Sequence, residues 1–175
     1  TRAKSFAQNA EMMDQYSLPK STTTDYNYLI VTPAVFQNEF QPLINLYNGK
    51  GLSLQIKTKE RIYSTVSGYD SVEKIRNYIK DQYINNHISY VLLAGNNSLV
   101  PARGFYCYVQ SGSGYSDSNI PADLYYSGMN GNYDLNGNHV YAEIADDPDL
   151  LPDIAVARFP VADTAELRRM IHKTI

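Results

Sequence analysis

The sequence lacks the features that define several protein classes. Its one cysteine, Cys107, excludes an internal disulfide framework and any metal site built from several cysteines. Lysine and arginine are scattered singly and the formal net charge is -3, so no basic surface for nucleic acid is expected. No apolar run is long enough to span a bilayer, and the first residues contain no signal-peptide core. These absences favour a folded domain with neither a nucleic-acid partner nor a membrane span.

The chain also has few residues that could form a catalytic centre by themselves. Cys107 lies in an alternating aromatic segment, residues 105–108, where a buried and inert thiol is the more usual state. The three histidines, His87, His139 and His172, have no neighbour in sequence that marks one of them as a general base. The sequence therefore predicts no Cys-His or Ser-His dyad within these 175 residues. Cys107 as the nucleophile stays open as a separate hypothesis.

The strongest structural signal is an unbroken apolar run at residues 89–94, which ends in Gly95-Asn96-Asn97. Such a run is typical of a strand that is buried on both faces and leads into a loop. Strands are also predicted at residues 26–32 and 52–58, and helices are predicted to begin near Gln41 and at Asp70. The alternation of strand and helix predicts an α/β fold, a three-layer sandwich with a mostly parallel, Rossmann-like sheet.

The two ends of the chain differ from its centre. Residues 1–25 predict a short helix and then a linker, so the domain is expected to begin at residue 26. At the other end, residues 154–159 predict a buried strand, and Asp163 is suited to cap a final helix that has no stop signal. Because the chain also begins without Met, we expect it to be part of a longer polypeptide, or to be completed by a partner chain.

Residues 101–152 form a long insertion in which regular periodicity fades, apart from short strands predicted at 105–109 and near 124–126. Insertions of this length are usually functional or held by a ligand. Within it, Asp134, Asn136 and Asn138 alternate along a Gly-containing loop, and Glu143 follows. Oxygen-bearing side chains at this spacing suit Ca²⁺, which takes about six to eight oxygen ligands. The alternative is an Asn-Gly hairpin turn with solvated acids nearby.

Counted from Asp134, the loop departs from the helix-loop-helix calcium motif in two ways. Gly137 lies between the second and third ligands, and no helices are predicted on either side. A glycine at this point still allows the loop to bend tightly. The residues therefore leave the calcium hypothesis and the hairpin hypothesis equally open.

The chain from residue 28 to residue 175 resembles the N-terminal part of the catalytic domain of gingipain-like cysteine peptidases, family C25. The similarity consists of short blocks whose order and spacing match over most of the chain, namely 28–33, the turn at Gly51, 90–95 with 100–102, 123–126, 130–138 and 151–161. The resemblance implies a caspase-like α/β domain made of two side-by-side subdomains, in which a Cys-His dyad cleaves peptide bonds. It also raises the weight of the calcium hypothesis, because similar loops in these enzymes look like cation sites.

No catalytic residue can be carried over from the family to this chain. The family's catalytic histidine stands in a His-Gly context and its cysteine ends a strand, both in the second subdomain. Neither feature occurs here, since His139 precedes Val140 and Cys107 lies within its segment. The resemblance therefore implies that residues 26–175 are the first subdomain only, and that the remainder of the catalytic domain is its partner.

The leading hypothesis is a secreted or surface-attached cysteine endopeptidase of a Gram-negative bacterium, acting on peptide or protein substrates, with this chain as scaffold and wall of the cleft. Parallel sheets place ligands beyond the carboxyl ends of their strands, which makes Thr32, Gly95, Asn96 and Asn97 the candidates for the cleft. Arg158 is expected either to pair with an acid such as Asp123 or to lie on the surface. The alternative function is non-catalytic: a calcium-stabilised scaffold or binding module, or a degenerate peptidase homologue.

Overall fold

Four parallel strands form the central sheet of the structure, a computed structural model that describes residues 26–175. The predicted helix and linker before residue 26 lie outside the described residues. In chain order the elements are β1 (Tyr28–Thr32), a 3-10 helix (Ala34–Phe40), α1 (Gln41–Gly49), β2 (Leu54–Thr58), α2 (Lys59–Thr65), α3 (Ser71–Asn86), β3 (Tyr90–Ala94), β4 (Arg103–Val109), β5 (Tyr115–Ala122), two 3-10 helices (Asp123–Tyr126 and Ile144–Asp146), β6 (Ala155–Phe159) and α4 (Thr164–Thr174).

The strand order in the main sheet is β2-β1-β3-β6, and all three pairings are parallel. β1 and β3 are the two inner strands. They are almost continuously apolar because helices cover both faces of the sheet, and Leu29, Ile30, Leu92 and Leu93 are buried. The predicted three-layer sandwich with a mostly parallel sheet is confirmed.

Successive side chains of the inner strands point to opposite faces and so build two separate cores. One face carries Ile30 and Leu92 and packs against apolar residues of α1 and α4. The other carries Leu29 and Val91 and packs against α2, α3 and the insertion. The insertion therefore completes one of the two outer layers.

Helix boundaries follow the capping signals in the sequence. Asp70 accepts a hydrogen bond from the backbone N–H of Glu73 and begins α3, and Asp163 does the same with Glu166 at α4. α1 begins at Gln41 after a separate 3-10 helix, as Pro42 requires, because proline is tolerated in the first turn of a helix and disrupts its interior.

The structure departs from the sequence-based expectation in three places, two of them in the insertion. The strand predicted near 124–126 is instead the 3-10 helix Asp123–Tyr126, in which Tyr125 and Tyr126 are buried. β4 occurs as expected, but it pairs with β5, a mostly polar strand that was not predicted, in an antiparallel hairpin. β6 was expected to be a buried strand, yet it lies at the edge of the main sheet with Ala155 and Ala157 exposed.

The helices of residues 26–175 are short or amphipathic. None of them combines the length and the apolar character needed to cross a membrane.

Candidate functional site

The four residues predicted to line a cleft lie at the carboxyl ends of β1 and β3, where they shape the loop after β3. Thr32 is fully buried, and its hydroxyl oxygen lies 3.4 Å from the carbonyl oxygen of Ala94. Gly95 has a φ of 146°, and a Cβ at this residue would lie 3.0 Å from Cβ of Leu99. Because Thr32 is fully buried, it can influence a ligand only through the backbone around it.

The two asparagines of this loop bond to its own backbone. The Asn96 side chain accepts hydrogen bonds from the N–H groups of Ser98 and Leu99, and the Asn97 side chain accepts one from Ala102. Asn97 is exposed beyond the sheet. Substrate contact at this loop stays a prediction.

Arg158 fastens this loop to the insertion. Its guanidinium makes two bonds to the carboxylate of Asp123, at 2.6 and 2.7 Å, and one nitrogen donates to the carbonyl oxygens of Gly95 and Val100. The planar fork of arginine matches a carboxylate in this way, which lysine could not do. The hypothesis that Arg158 pairs with Asp123 is confirmed.

A column of alternating tyrosine rings and arginines holds the insertion on α3. The Arg76 guanidinium lies 4.8 Å from the ring centre of Tyr125 and 5.0 Å from that of Tyr133. The Arg103 guanidinium lies 4.7 Å from the centre of the same Tyr125 ring and 3.9 Å from that of Tyr141. Burial raises the pKa of Tyr141 to about 12, so this ring stays neutral and presents its π face to the cation at ordinary pH.

Arg103 has an ionic partner in Asp70, the residue that caps α3. Two hydrogen bonds of 2.6 and 2.8 Å join them, and the arginine side chain is only 8% exposed. Burial alone would raise the pKa of Asp70, but hydrogen bonds from Arg103 and from the Glu73 backbone lower it below its ordinary value. The carboxylate thus serves both the helix cap and the buried arginine.

The predicted calcium ligands are only partly brought together. The amide groups of Asn136 and Asn138 meet one carboxylate oxygen of Glu143, at 2.7 and 2.6 Å. Asp134 instead turns to His139, whose backbone N–H and ring Nδ1 lie 3.1 Å from its two carboxylate oxygens. In the described part of the chain, no group of three or more His, Cys, Asp or Glu side chains is arranged to hold a metal ion.

Counting the loop from Asn132 instead of Asp134 adds Asn132 as a candidate ligand. Asn132, Asp134, Asn136, Gly137 and Glu143 then occupy positions 1, 3, 5, 6 and 12 of the EF-hand calcium loop, with Asn in place of Asp at position 1. The glycine is where that motif requires it, and position 7, Asn138, would contribute its backbone carbonyl. The signal was present in the sequence.

The fit of this loop to calcium is partial. The side chains of positions 5 and 12, Asn136 and Glu143, lie in contact, as two ligands of one cation would. However, the side-chain nitrogens of the two asparagines face Glu143, while their oxygens accept backbone N–H groups within the loop. A cation at this point would need oxygens in place of those nitrogens, and it would neutralise a single carboxylate unless Asp134 turned from His139.

Neither the cysteine nor the histidines form a catalytic pair. Cys107 is exposed on β4, contrary to the expected buried thiol, because the part of the hairpin beyond Phe105 projects from the core. His139 stacks on Tyr69 with ring centres 4.0 Å apart and contacts Asp134. His87 ends α3 in a left-handed conformation, and His172 lies on α4. No hydrogen bond within residues 26–175 joins Cys107 to any histidine.

Comparisons with known proteins identify a family whose model matches the chain and solved structures with a similar fold. The model of peptidase family C25 matches residues 21–175. No curated protein matches the chain. Among solved structures, the Arg-specific cysteine proteinase gingipain R has a TM-score of 0.59 at 20% identity, over 91% of this chain and 30% of its own.

Two further structures share the fold. A complex of the pro- and mature domains of Porphyromonas gingivalis RgpB has a TM-score of 0.57 at 21% identity, over 85% of this chain and 28% of its own. Dimeric latent PorU from the same organism has a TM-score of 0.55 at 17% identity, over 85% of this chain and 15% of its own. The chain thus spans less than a third of the length of these structures.

Proposed function

Because the chain belongs to peptidase family C25, we propose that it forms the first subdomain of the catalytic domain of a cysteine endopeptidase. The observation that carries the proposal is the family match over residues 21–175, in a chain that aligns with less than a third of gingipain R. The Cys-His dyad then belongs to the remainder of the catalytic domain. We further propose that the whole protein is secreted or attached to the cell surface.

In the assembled enzyme the dyad would cleave peptide bonds by acyl transfer. The thiolate attacks the scissile carbonyl, the histidine passes a proton to the leaving amine, and water then releases the acyl group from sulfur. This chain contributes the loop after β3, fixed by Arg158 and exposed at Asn97, as one wall of the cleft. Residues of a wall orient the peptide and do not take part in proton transfer.

The role assigned to Cys107 gives the first test. In the polypeptide encoded by the complete gene, Cys107→Ser should leave kcat/KM for a denatured protein substrate within about twofold, because the exposed thiol has no partner within residues 26–175. A thiol-alkylating reagent should abolish cleavage in the variant as in the parent. Loss of cleavage in a Cys107→Ser protein of unchanged melting temperature would place the nucleophile in this chain, and absence of any thiol-dependent cleavage would favour a non-catalytic scaffold.

We also propose that calcium has a structural role at the loop 132–143. What supports it is the spacing of Asn132, Asp134, Asn136, Gly137 and Glu143, together with the contact of the Asn136 and Glu143 side chains. The loop carries His139, which stacks on Tyr69 just before α3, and Tyr141, which ends the cation-π column. A bound cation would therefore hold the insertion against α3.

Calcium should raise the melting temperature of the protein. At about one hundred times Kd, the stabilisation is about 2.7 kcal/mol, equivalent to roughly 5–10 °C for a domain of this size. Glu143→Gln should remove the shift. Asp147→Asn is the matched control, because this exposed neighbouring acid lies outside the loop and should retain it. An equal calcium response in the Glu143 variant, or none in the parent at millimolar calcium, would contradict the site.

The register of the loop can be tested separately. If the loop is counted from Asn132, Asn132→Ala should weaken calcium binding, while Asn138→Ala should largely retain it because position 7 uses its backbone carbonyl. The opposite ranking, measured by calorimetric titration, would favour the ligand set counted from Asp134.

A further inference from the structure

The edge strand β6 has the composition of an interior strand. Its sequence, Ala155-Val156-Ala157-Arg158-Phe159, contains no lysine or proline, and its one charged side chain is turned inward to Asp123. The opposite edge strand, β2, carries Gln55 and Lys57, as strands that end a sheet commonly do. Of the two edges of the sheet, only the β2 edge therefore has the polar side chains that are typical of a solvent-exposed edge strand.

Among residues 26–175, the backbone of β6 is paired on one side only. Ala155 donates to the carbonyl oxygen of Ser89, and Phe159 accepts from the N–H of Gly95, so these residues direct their backbone groups towards β3. Because the groups alternate along a strand, Val156 and Arg158 direct theirs outward. Two N–H and two C=O groups thus form a short template for another strand.

An apolar groove follows this template. Its volume is about 370 Å³, and its lining includes Leu124, Pro152, Ile154 and Val156. Strand addition uses main-chain hydrogen bonds together with pockets for alternate side chains, and the groove supplies such a pocket next to the free edge.

The topology excludes one simple occupant. α1 connects β1 to β2 on one face, and α3 connects β2 back to β3 on the other, so both crossovers have the same hand. α4 packs on the face of α1. If the connection through α4 has this same hand, the next strand lies on the β2 side of β6 and not at its outer edge. A strand that immediately follows α4 is therefore not the one that completes this edge.

We propose that the outer edge of β6 is the docking surface for a strand of the second subdomain of the same polypeptide, whose apolar side chain fills the groove beside Leu124 and Val156. The inference rests on the proposed function, which assigns that subdomain to the same protein. The occupant is favoured because the chain covers less than a third of its structural relatives, and a polypeptide of their length has many further residues to cover an edge that residues 26–175 leave bare.

Hydrogen exchange of the complete polypeptide tests the docking directly. The amides of Val156 and Arg158 should exchange at least about 100-fold more slowly than those of an unstructured peptide, like the inner-strand amide of Leu92, because they would be paired. Fast exchange of both amides in a protein whose Leu92 amide is protected would overturn the proposal. This measurement does not depend on activity.

A proline pair supplies the matched control. Val156→Pro removes an outward N–H without touching the ladder to β3, and Ile56→Pro does the same on β2, since Tyr28 donates to Ser53 and the alternation turns Ile56 outward. The first variant should lose protection at Arg158 and lower thiol-dependent cleavage at least tenfold, or about 1.4 kcal/mol. The second should do neither. Equal effects of the two, at similar melting temperatures, would contradict a β6-specific interface.

The remaining outcomes separate the other occupants. Protection that is lost on deleting residues 1–25 would assign the edge to that segment, and protection that falls on dilution would assign it to a second copy of the chain; either result overturns the proposal. Protected amides in a polypeptide without peptidase activity would support the docking and refute the proposed function. Peptidase activity with unprotected amides would refute the docking and support the proposed function.

Discussion

Replacing Asp70 with asparagine should lower the free energy of unfolding by about 3 kcal/mol, because a buried arginine would lose its ionic partner. Asparagine still caps α3, so the loss measures mainly the pair with Arg103. Asp163→Asn is the matched control: Asp163 caps α4 with the same geometry but pairs with no buried arginine. It should cost less than about 1 kcal/mol. Urea unfolding of the two variants measures the difference.

The same pair predicts a pH dependence. The pKa of Asp70 lies below its ordinary value of 3.8 in the folded protein, so its contribution to stability is present above that value and is lost as the pH falls through the lowered pKa. The gap in stability between the parent and the Asp70→Asn variant should therefore be constant near neutrality and shrink in acid. A gap that is unchanged at pH 2.5, or equal losses in the two cap variants, would show that Arg103 does not depend on the carboxylate.

Gly128→Ala should be the other severe substitution, with a cost of roughly 2–4 kcal/mol. A Cβ at Gly128 would overlap the hydroxyl of Tyr133, whose ring is 1% exposed and packed against Phe105, Tyr125 and Arg76. The ring is held by these neighbours, so relieving the overlap requires the column of tyrosines and arginines to shift. Thermal or urea unfolding of the variant measures the effect.

Tyr133→Phe provides the control for this clash. Within residues 26–175 the Tyr133 hydroxyl is buried without a hydrogen-bond partner, so its removal should be neutral or stabilising by up to about 1 kcal/mol. In the Gly128→Ala background it removes the overlapping atom and should restore most of the lost stability. A double variant as unstable as Gly128→Ala alone would trace the cost to the backbone of residue 128.

The sheet and its helices could be predicted because local signals and tertiary packing agree there. The apolar run at β3, the cap at Asp70 and the turn before Gln41 each specify the structure that is observed. The insertion was less predictable because its contacts are distant in sequence. Leu124 to Tyr126 are apolar enough for a strand, but the ring of Tyr125 packs against Arg76 and Arg103. The polar residues of β5 form a strand only because β4 pairs with them.

The misplacement of β6 and of Cys107 has one cause, and the overlooked count of the loop has another. The position of β6 at the sheet edge could not be predicted, because an apolar strand does not indicate whether its neighbour lies in the same chain. The count from Asn132 could have been made from the sequence alone, because it places Gly137 and Glu143 at the positions of the calcium motif, and calcium binding stays a prediction. The exposure of Cys107, like the position of β6, could not be predicted, since it depends on how far the hairpin projects from the core.

The position of β6 in the chain also determines when it can join the sheet. β1, β2 and β3 lie within residues 28–94, whereas β6 begins only at Ala155, after the whole insertion. Pairing β6 with β3 must close this long loop, so we expect the first three strands to form the folding nucleus and β6 to add late. Until then an apolar segment with unpaired backbone N–H and C=O groups on both edges is exposed to other chains. This strand is therefore the main aggregation hazard during synthesis and refolding.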